Sequence, residues 1–295
     1  MVIPIVLASV LVAACCVLYG IAIERRWYRM VHHRLAILPA AGTGEAPSSL
    51  TVLHLSDLHF VRDEPAKSGR FLGSLPVADV TVVTGDFLAE PEAVETVVEA
   101  LRPVRGRLGS WFVLGSNDYF VPQPLNYLAY FRKRKPRGAA RGRAGDLVSQ
   151  LVADGWLDLT NERREVELDG IAVELLGLDD AHINRQDYRV APREARERFG
   201  LAVMHSPDSA PEAAALGYDL VVAGHTHGGQ VCLPFVGALV TNCSMPRKLV
   251  KGMIRMGNAV VHTSPGMGTS KFAPFRFWCR PEATLLELTQ RPAGR

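Results

Sequence analysis

From residue 50 onward the chain repeats one device: an apolar run of four to six residues stops abruptly at Gly, Ser, Asp or His. The runs at 50–55, 80–84, 111–114, 201–204 and 220–223 are short and bounded by such residues, so each is expected to be a buried strand. Residues 91–101 read as a helix, with Pro91 in the first turn and Glu92 beside it. Alternation of strand and helix implies parallel pairing through right-handed crossovers. Asp169-Gly170, set between 163–168 and 171–176, is a hairpin signal. Two later runs, 259–263 and 283–289, add strands. The expected core is α/β, with both parallel and antiparallel pairing.

The residues after each run carry the chemistry. They are Ser56-Asp57-Leu58-His59, Gly85-Asp86, Gly115-Ser116-Asn117-Asp118, His205, and Gly224-His225-Thr226-His227-Gly228-Gly229. An Asp after a strand is ordinarily a turn or cap residue, and a lone His is ordinarily a satisfied surface or core group. Five strand ends that each deliver Asp, His or Asn are another matter, because open α/β sheets place ligands beyond the carboxyl ends of their strands. Mixed carboxylate, imidazole and amide donors suit Mn²⁺, Fe²⁺ or Zn²⁺. Seven candidate ligands (Asp57, His59, Asp86, Asn117, His205, His225 and His227) over-supply one ion and fit two, provided one carboxylate bridges. Two such ions about 3.5–4 Å apart share a hydroxide and clamp the oxygens of an in-line phosphoryl displacement.

The order D-x-H, G-D, G-N-x-D-like, H, G-H-x-H resembles the calcineurin-like metallophosphoesterase superfamily. Leu55-Ser56-Asp57-Leu58-His59 and Gly224-His225-Thr226-His227-Gly228-Gly229-Gln230 resemble its bacterial membrane-associated branch, as do Gly266-Met267-Gly268 and Cys279-Arg280-Pro281-Glu282. That branch includes enzymes similar to UDP-2,3-diacylglucosamine pyrophosphatases. The resemblance spans about residues 50–290 and implies a four-layer α/β/β/α sandwich with mixed sheets. It implies one ion on Asp57, His59, Asp86 and His227, and a second on Asp86, an Asn, His205 and His225. One departure stands out. The family spelling Gly-Asn-His-Asp (or -Glu) is replaced by Gly115-Ser116-Asn117-Asp118. Either Ser116 occupies the ligand slot, or a one-residue slip makes Asn117 the ligand; an amide oxygen is the better neutral donor and favours Asn117. The family's catalytic His is absent in both alignments. Asp118 or His182 is the expected substitute, although His182 also reads as an ordinary surface-loop residue.

Residues 1–23 contain no charged side chain, and Glu24, Arg25, Arg26, Arg29 and Arg34 follow. A helix of that length rises roughly 33 Å, enough to cross a hydrocarbon core of about 30 Å. Positive charge on the carboxyl side favours a cytoplasmic main domain. A cleaved or lipidated export signal, with Val12-Ala13-Ala14-Cys15 as its processing site, is the competing reading, and a buried core helix is a third. The five cysteines form no CxxC pair, which mildly favours a reducing compartment. The expected division is an anchor with basic flank at 1–34, a linker at 35–49, the catalytic domain at 50–290 and a tail at 291–295.

A net charge of only +3 argues against nucleic acid as a partner. The basic segment Arg132-Lys133-Arg134-Lys135, Arg137, Arg141 and Arg143 reads as a solvated loop, or as one that meets anionic lipid or substrate; a nuclease would rest on it alone. The expected activity is hydrolysis of a phosphodiester, phosphomonoester or pyrophosphate, on a small-molecule or lipid-linked substrate, at the cell membrane. A metal-binding protein that lost catalysis with the missing His is the alternative.

Overall fold

The computed structural model describes residues 2–39, 49–63, 66–122 and 140–292. The chain opens with helix α1 (Val2–Ala22), whose side chains are almost all exposed, and a 3₁₀ turn at Glu24–Arg26. Strands β1 (Arg29–Leu38) and β2 (Ser49–Leu55) follow, then α2 (Ala66–Leu72), β3 (Val80–Thr84), α3 (Val94–Leu101) and β4 (Gly109–Val113). Next come α4 (Ser116–Tyr119), α5 (Ala144–Ala153), β5 (Leu157–Asp158), β6 (Glu162–Leu168), β7 (Ile171–Leu178) and β8 (Phe199–Met204). The last elements are α6 (Ala210–Ala215), β9 (Leu220–Ala223), β10 (Cys232–Leu233), β11 (Gly237–Ala238), β12 (Gly252–Met256), β13 (Ala259–Thr263) and β14 (Glu282–Gln290).

Two six-stranded sheets, ordered β1-β14-β2-β3-β4-β5 and β12-β13-β9-β8-β7-β6, pack face to face. Val52, Val82, Trp111 and Val113 from the first meet Val173, Leu201, Val203 and Val222 from the second in one buried cluster. Helices α2, α3 and α5 cover the outer face of the first sheet through Leu72, Val94, Val97, Leu147 and Leu151. Helix α6 covers the second through Ala210 and Ala213, against Ala202 and Val221. The α/β/β/α sandwich is the expected one. Pairing is parallel across β2-β3-β4 and across β7-β8-β9-β13, and antiparallel at β14-β2, β6-β7 and β12-β13.

Two boundaries differ from expectation. Residues 91–101 divide into a 3₁₀ turn (Pro91–Ala93) and α3. More consequentially, residues 29–38, expected as membrane flank and linker, form β1, which pairs in parallel with β14 along its length. Its side chains alternate between half-buried and exposed, with His32 and Arg34 on the open side, polar groups of the kind that discourage further pairing at a sheet edge. The folded domain therefore starts at Arg29, within a few residues of α1. Residues 40–48 of the expected linker and 132–137 of the basic segment lie outside the described residues; Arg143 of that segment pairs with Asp146 at 2.6 Å.

Candidate metal centre

Parallel strands end at the same edge, and here both sheets of the sandwich end together. From β2 come Asp57 and His59, from β3 Asp86, and from the turn after β4 Asn117. From β8 comes His205, from β9 His225 and His227, and from β7 Asp180 and His182. Asp57, His59, Asp86, His225 and His227 all hold positive φ, between 47° and 68°. That conformation costs an L-residue roughly 1–2 kcal/mol, and such strain gathers where surrounding structure over-determines a functional geometry. Close approach is enforced by glycine as well. A Cβ on Gly224 would collide with Ser56 Oγ and lie 2.5 Å from Asp57 Oδ2, and one on Gly115 would collide with Asp86 Oδ1.

The side chains form two overlapping groups. Asp57, His59 and His227 converge in one, with His59 Nε2 3.1 Å from His227 Nε2 and His227 Nε2 3.5 Å from Asp57 Oδ1. Asp180, His205 and His225 converge in the other, with His205 Nε2 3.1 Å from His225 Nδ1. Asp86 lies between them: one carboxylate oxygen is 3.5 Å from His59 Nε2 and the other 3.5 Å from His205 Nε2. The Asn117 side-chain amide reaches Asp86 Oδ2 at 2.5 Å, and its main-chain N–H donates to Asp86 Oδ1 at 2.9 Å. Ser116 instead opens α4, its carbonyl accepting from Phe120 N–H at 3.0 Å. The Asn117 side-chain nitrogen and main-chain N–H thus both donate to Asp86, which brings Asn117 to that carboxylate.

Burial and mutual charge together set the electrostatics of this cluster. Burial opposes ionisation of Asp86, yet His205, His59 and the Asn117 amide outweigh it and hold the carboxyl well below its ordinary value. Burial likewise disfavours charge on His205, but Asp86, Asp180 and Asp57 prevail and raise it to about 10. His59, His225 and His227 are all lowered, first by burial. Asp57 is raised by burial against the pull of His205. Asp180 Oδ2 is buried with no hydrogen-bond partner among the described residues. Oxygen and imidazole donors in two groups with a carboxylate between them fit two borderline divalent ions.

The surrounding shell holds these groups by hydrogen bonds. Ser56 Oγ donates to Asp57 Oδ2 at 2.5 Å, and Thr84 Oγ1 links Ser56 to His54 Nε2 at 2.7 and 2.9 Å. The His225 main-chain N–H donates to Asp57, and His225 Nε2 meets the Asn242 carbonyl at 2.9 Å. Arg276, fully buried, donates to the carbonyls of Pro265, Gly266, Gly268 and Cys279 and approaches His227 Nδ1 at 3.5 Å. Sequence reasoning missed Asp180 and Arg276. Asp180 looked like part of an acidic turn after an apolar run, which is a faint signal, and Arg276 carried none.

The candidates for the missing histidine separate clearly. His182 stacks beside His225 with ring centroids 4.5 Å apart, at the rim of the second group, and is lowered by burial and then by His225. Asp118, by contrast, is not placed to transfer a proton. Its two oxygens accept from the main-chain N–H groups of Asp86, Phe87, Leu88 and Gly115 at 2.9–3.2 Å, and it is wholly buried. It is a clasp between the loops after β3 and β4.

Comparison with known proteins agrees with this geometry. The family described as Calcineurin-like phosphoesterase matches residues 50–229. The Bacillus subtilis metallophosphoesterase YkuE is 26% identical over 92% of this chain and 89% of its own length. The Escherichia coli phosphodiesterase YaeI is 25% identical over 90% of each chain. The Chlamydia trachomatis UDP-2,3-diacylglucosamine pyrophosphatase LpxG is 23% identical over 82% of this chain and 84% of its own.

Proposed function

The chain belongs to the calcineurin-like phosphoesterase family of phosphoester-hydrolysing enzymes, and from that premise we propose that it cleaves a phosphodiester or pyrophosphate bond of a lipid-linked substrate at a membrane surface. The observation that carries the reading is the convergence of Asp57, His59, Asp86, His205, His225 and His227, with Asn117, around one bridging carboxylate. Asp57, His59, Asp86 and His227 would hold one divalent ion, and Asp86, Asn117, His205 and His225 the other, with Mn²⁺, Fe²⁺ or Zn²⁺ suited to these donors. When bound, such a pair lowers the pKa of water and neutralises phosphate charge.

The protein's own contribution is placement. Positive φ at five ligands and the Ser56–Asp57 bond fix the donors before substrate arrives. His182, beside His225 and partly open to solvent, is the group we assign to protonating the leaving oxygen. General acid assistance is worth about 10²–10⁴-fold. A partly placed acid suits an anhydride or activated diester, whose leaving group needs least help. The lipid-linked class draws support from the LpxG relative and from α1, a 21-residue apolar helix that we assign as a single membrane span, with the domain from Arg29 onward on the cytoplasmic side.

The test is hydrolysis of bis(p-nitrophenyl) phosphate by Mn²⁺-loaded protein in detergent. Asp86→Ala, which removes the shared ligand, is expected to lower turnover by more than about 10²-fold, since loss of mere supporting contacts already costs 10–100-fold. Equal rates in the two proteins would end the reading.

A further inference from the structure

The segment between the two parts of the metal centre and the last strands has a composition unlike the rest of the domain. Residues 228–246 contain no charged side chain, and Arg247, Lys248 and Lys251 follow at once. Its centre is the hairpin β10–β11, whose turn presents Phe235 fully to solvent and Val236 at 65% exposure, with Leu233, Leu239 and Val240 also open. An apolar hairpin tip held out from a soluble surface has no reason to remain bare.

The neighbourhood says what covers it. Cys232 N–H donates to the Phe277 carbonyl at 2.8 Å, and the Phe277 ring packs edge-on against Tyr19 near the carboxyl end of α1. A Cβ on Gly20 of α1 would collide with the Arg276 carbonyl, so helix and loop are in close contact there. The hairpin therefore leaves the domain at the point where α1 leaves it. Around the same point stand Trp278 and Trp27, 64 and 50% exposed, with the Arg280 guanidinium 4.0 Å above the Trp27 ring. Arg25 and Arg26 close the helix. Tryptophan and tyrosine with a basic fringe are the side chains of a membrane–water boundary.

We propose that the β10–β11 hairpin is a second membrane contact: Phe235 and Val236 enter the acyl boundary of an anionic bilayer beside the α1 span. The proposal rests on α1 crossing that bilayer. Because the Asn242 carbonyl, just past the hairpin, accepts from His225 Nε2 at 2.9 Å, the contact fixes the metal centre at a set height and tilt over the lipid headgroups. A span alone would leave the domain free to swing. The cavity lined by Arg25, Arg26, Tyr28 and His59 then lies beside the span, within reach of molecules in the membrane plane.

The experiment uses full-length protein reconstituted in phosphatidylcholine–phosphatidylglycerol vesicles whose acyl chains are brominated near the glycerol end, to match the hairpin, or in a second preparation near mid-chain, to match Leu11 at the middle of α1. Phe235→Trp, Leu11→Trp on α1 and Val77→Trp are compared by subtracting the parent's emission. Val77 is exposed at the opposite, amino-terminal edge of β3. Thermal midpoints equal to the parent's certify each variant's fold. Bromolipid is expected to quench the Phe235→Trp reporter at least half as strongly as Leu11→Trp, with Val77→Trp unaffected. Quenching of Phe235→Trp no greater than that of Val77→Trp overturns the proposal. If that reporter escapes bromolipid and is nevertheless shielded from aqueous acrylamide, a second copy or another protein covers the hairpin, and the proposal is equally overturned. Should Leu11→Trp also escape quenching, the membrane-span assignment falls with it; quenching of Leu11→Trp alone sinks only the hairpin.

Discussion

Asp118 and Asp180 are both carboxylates buried at strand ends, yet their oxygens are committed in opposite ways. Asp118 accepts four main-chain N–H groups, whereas Asp180 spends one oxygen on His182 N–H at 2.8 Å and leaves the other, beside His205 and His225, without a hydrogen-bond partner among the described residues. Substitution should therefore separate them. Asp118→Ala strands buried donors at roughly 1–3 kcal/mol each, so a loss of several kcal/mol of stability is expected in chemical unfolding, metal present or not. Asp180→Asn keeps volume and the His182 bond; it should fold with an unchanged midpoint in the apo form but bind the second metal about 10–100-fold more weakly by calorimetric titration. Identical metal isotherms for Asp180→Asn and wild type would remove Asp180 from the centre. The six Asp and His positions were legible in the sequence because a strand end punctuates each of them. Asp180 was not, since an Asp-Asp pair after a strand is ordinary turn chemistry. Arg276 was hidden because its partners are main-chain carbonyls of the irregular loop around it, which leave no residue pattern to read.

Strand β1 shows where sequence reading and fold part company. Continuous apolar runs marked β2, β3, β8 and β9 nearly to the residue, because strands covered on both faces need no polar alternation. Residues 29–38 mix Arg and His with Val, Leu and Ile, and directly after an apolar helix that mixture looks like a membrane flank. What reveals β1 is its partner, 253 residues away, where Arg29 and Glu282 pair at 2.6 Å. The two strands make opposite truncations informative. Removing residues 1–23 takes away an exposed helix and leaves Glu24, whose carboxylate accepts from Cys279 N–H at 2.6 Å, in place. That variant is expected to stay folded, its thermal midpoint within a few degrees of the parent's. Removing residues 1–38 strips the edge from β14 and bares its inner ladder, a template for pairing between chains. Aggregation or a drop in midpoint of about 8 °C or more is expected, each kcal/mol being worth roughly 2–4 °C in a domain of this size. A 1–38 truncation as stable and monomeric as the 1–23 truncation would show β1 to be an ornament.

The whole molecule stands on two sheets docked face to face, and a buried polar contact crosses between them. His54 of β2 meets His262 of β13 with Nδ1 atoms 2.8 Å apart, both rings wholly buried. Burial, and then each ring's neighbouring imidazole, depresses both: His54 well below its ordinary value and His262 to about 3. The sign follows directly. Above pH 6.5 both folded and unfolded chains carry these rings neutral, and the contact costs nothing further. Below it the unfolded chain takes up protons that the folded sandwich refuses, so stability falls as pH drops from about 6.5 toward about 3, by roughly 1.4 kcal/mol per ring per pH unit. Urea unfolding of the apo protein between pH 7.5 and 5 should show this decline. His59, His225 and His227, proposed as metal ligands, are lowered in the same direction, so the informative quantity is a difference. His262→Gln keeps a polar side chain between the sheets but removes one buried titration, and its stability should fall less steeply with acid than the parent's. Parallel slopes would mean that the pair does not set the acid limit, which would then belong to the metal centre alone; divergent slopes would place that limit in the seam that holds the two halves of the active edge together.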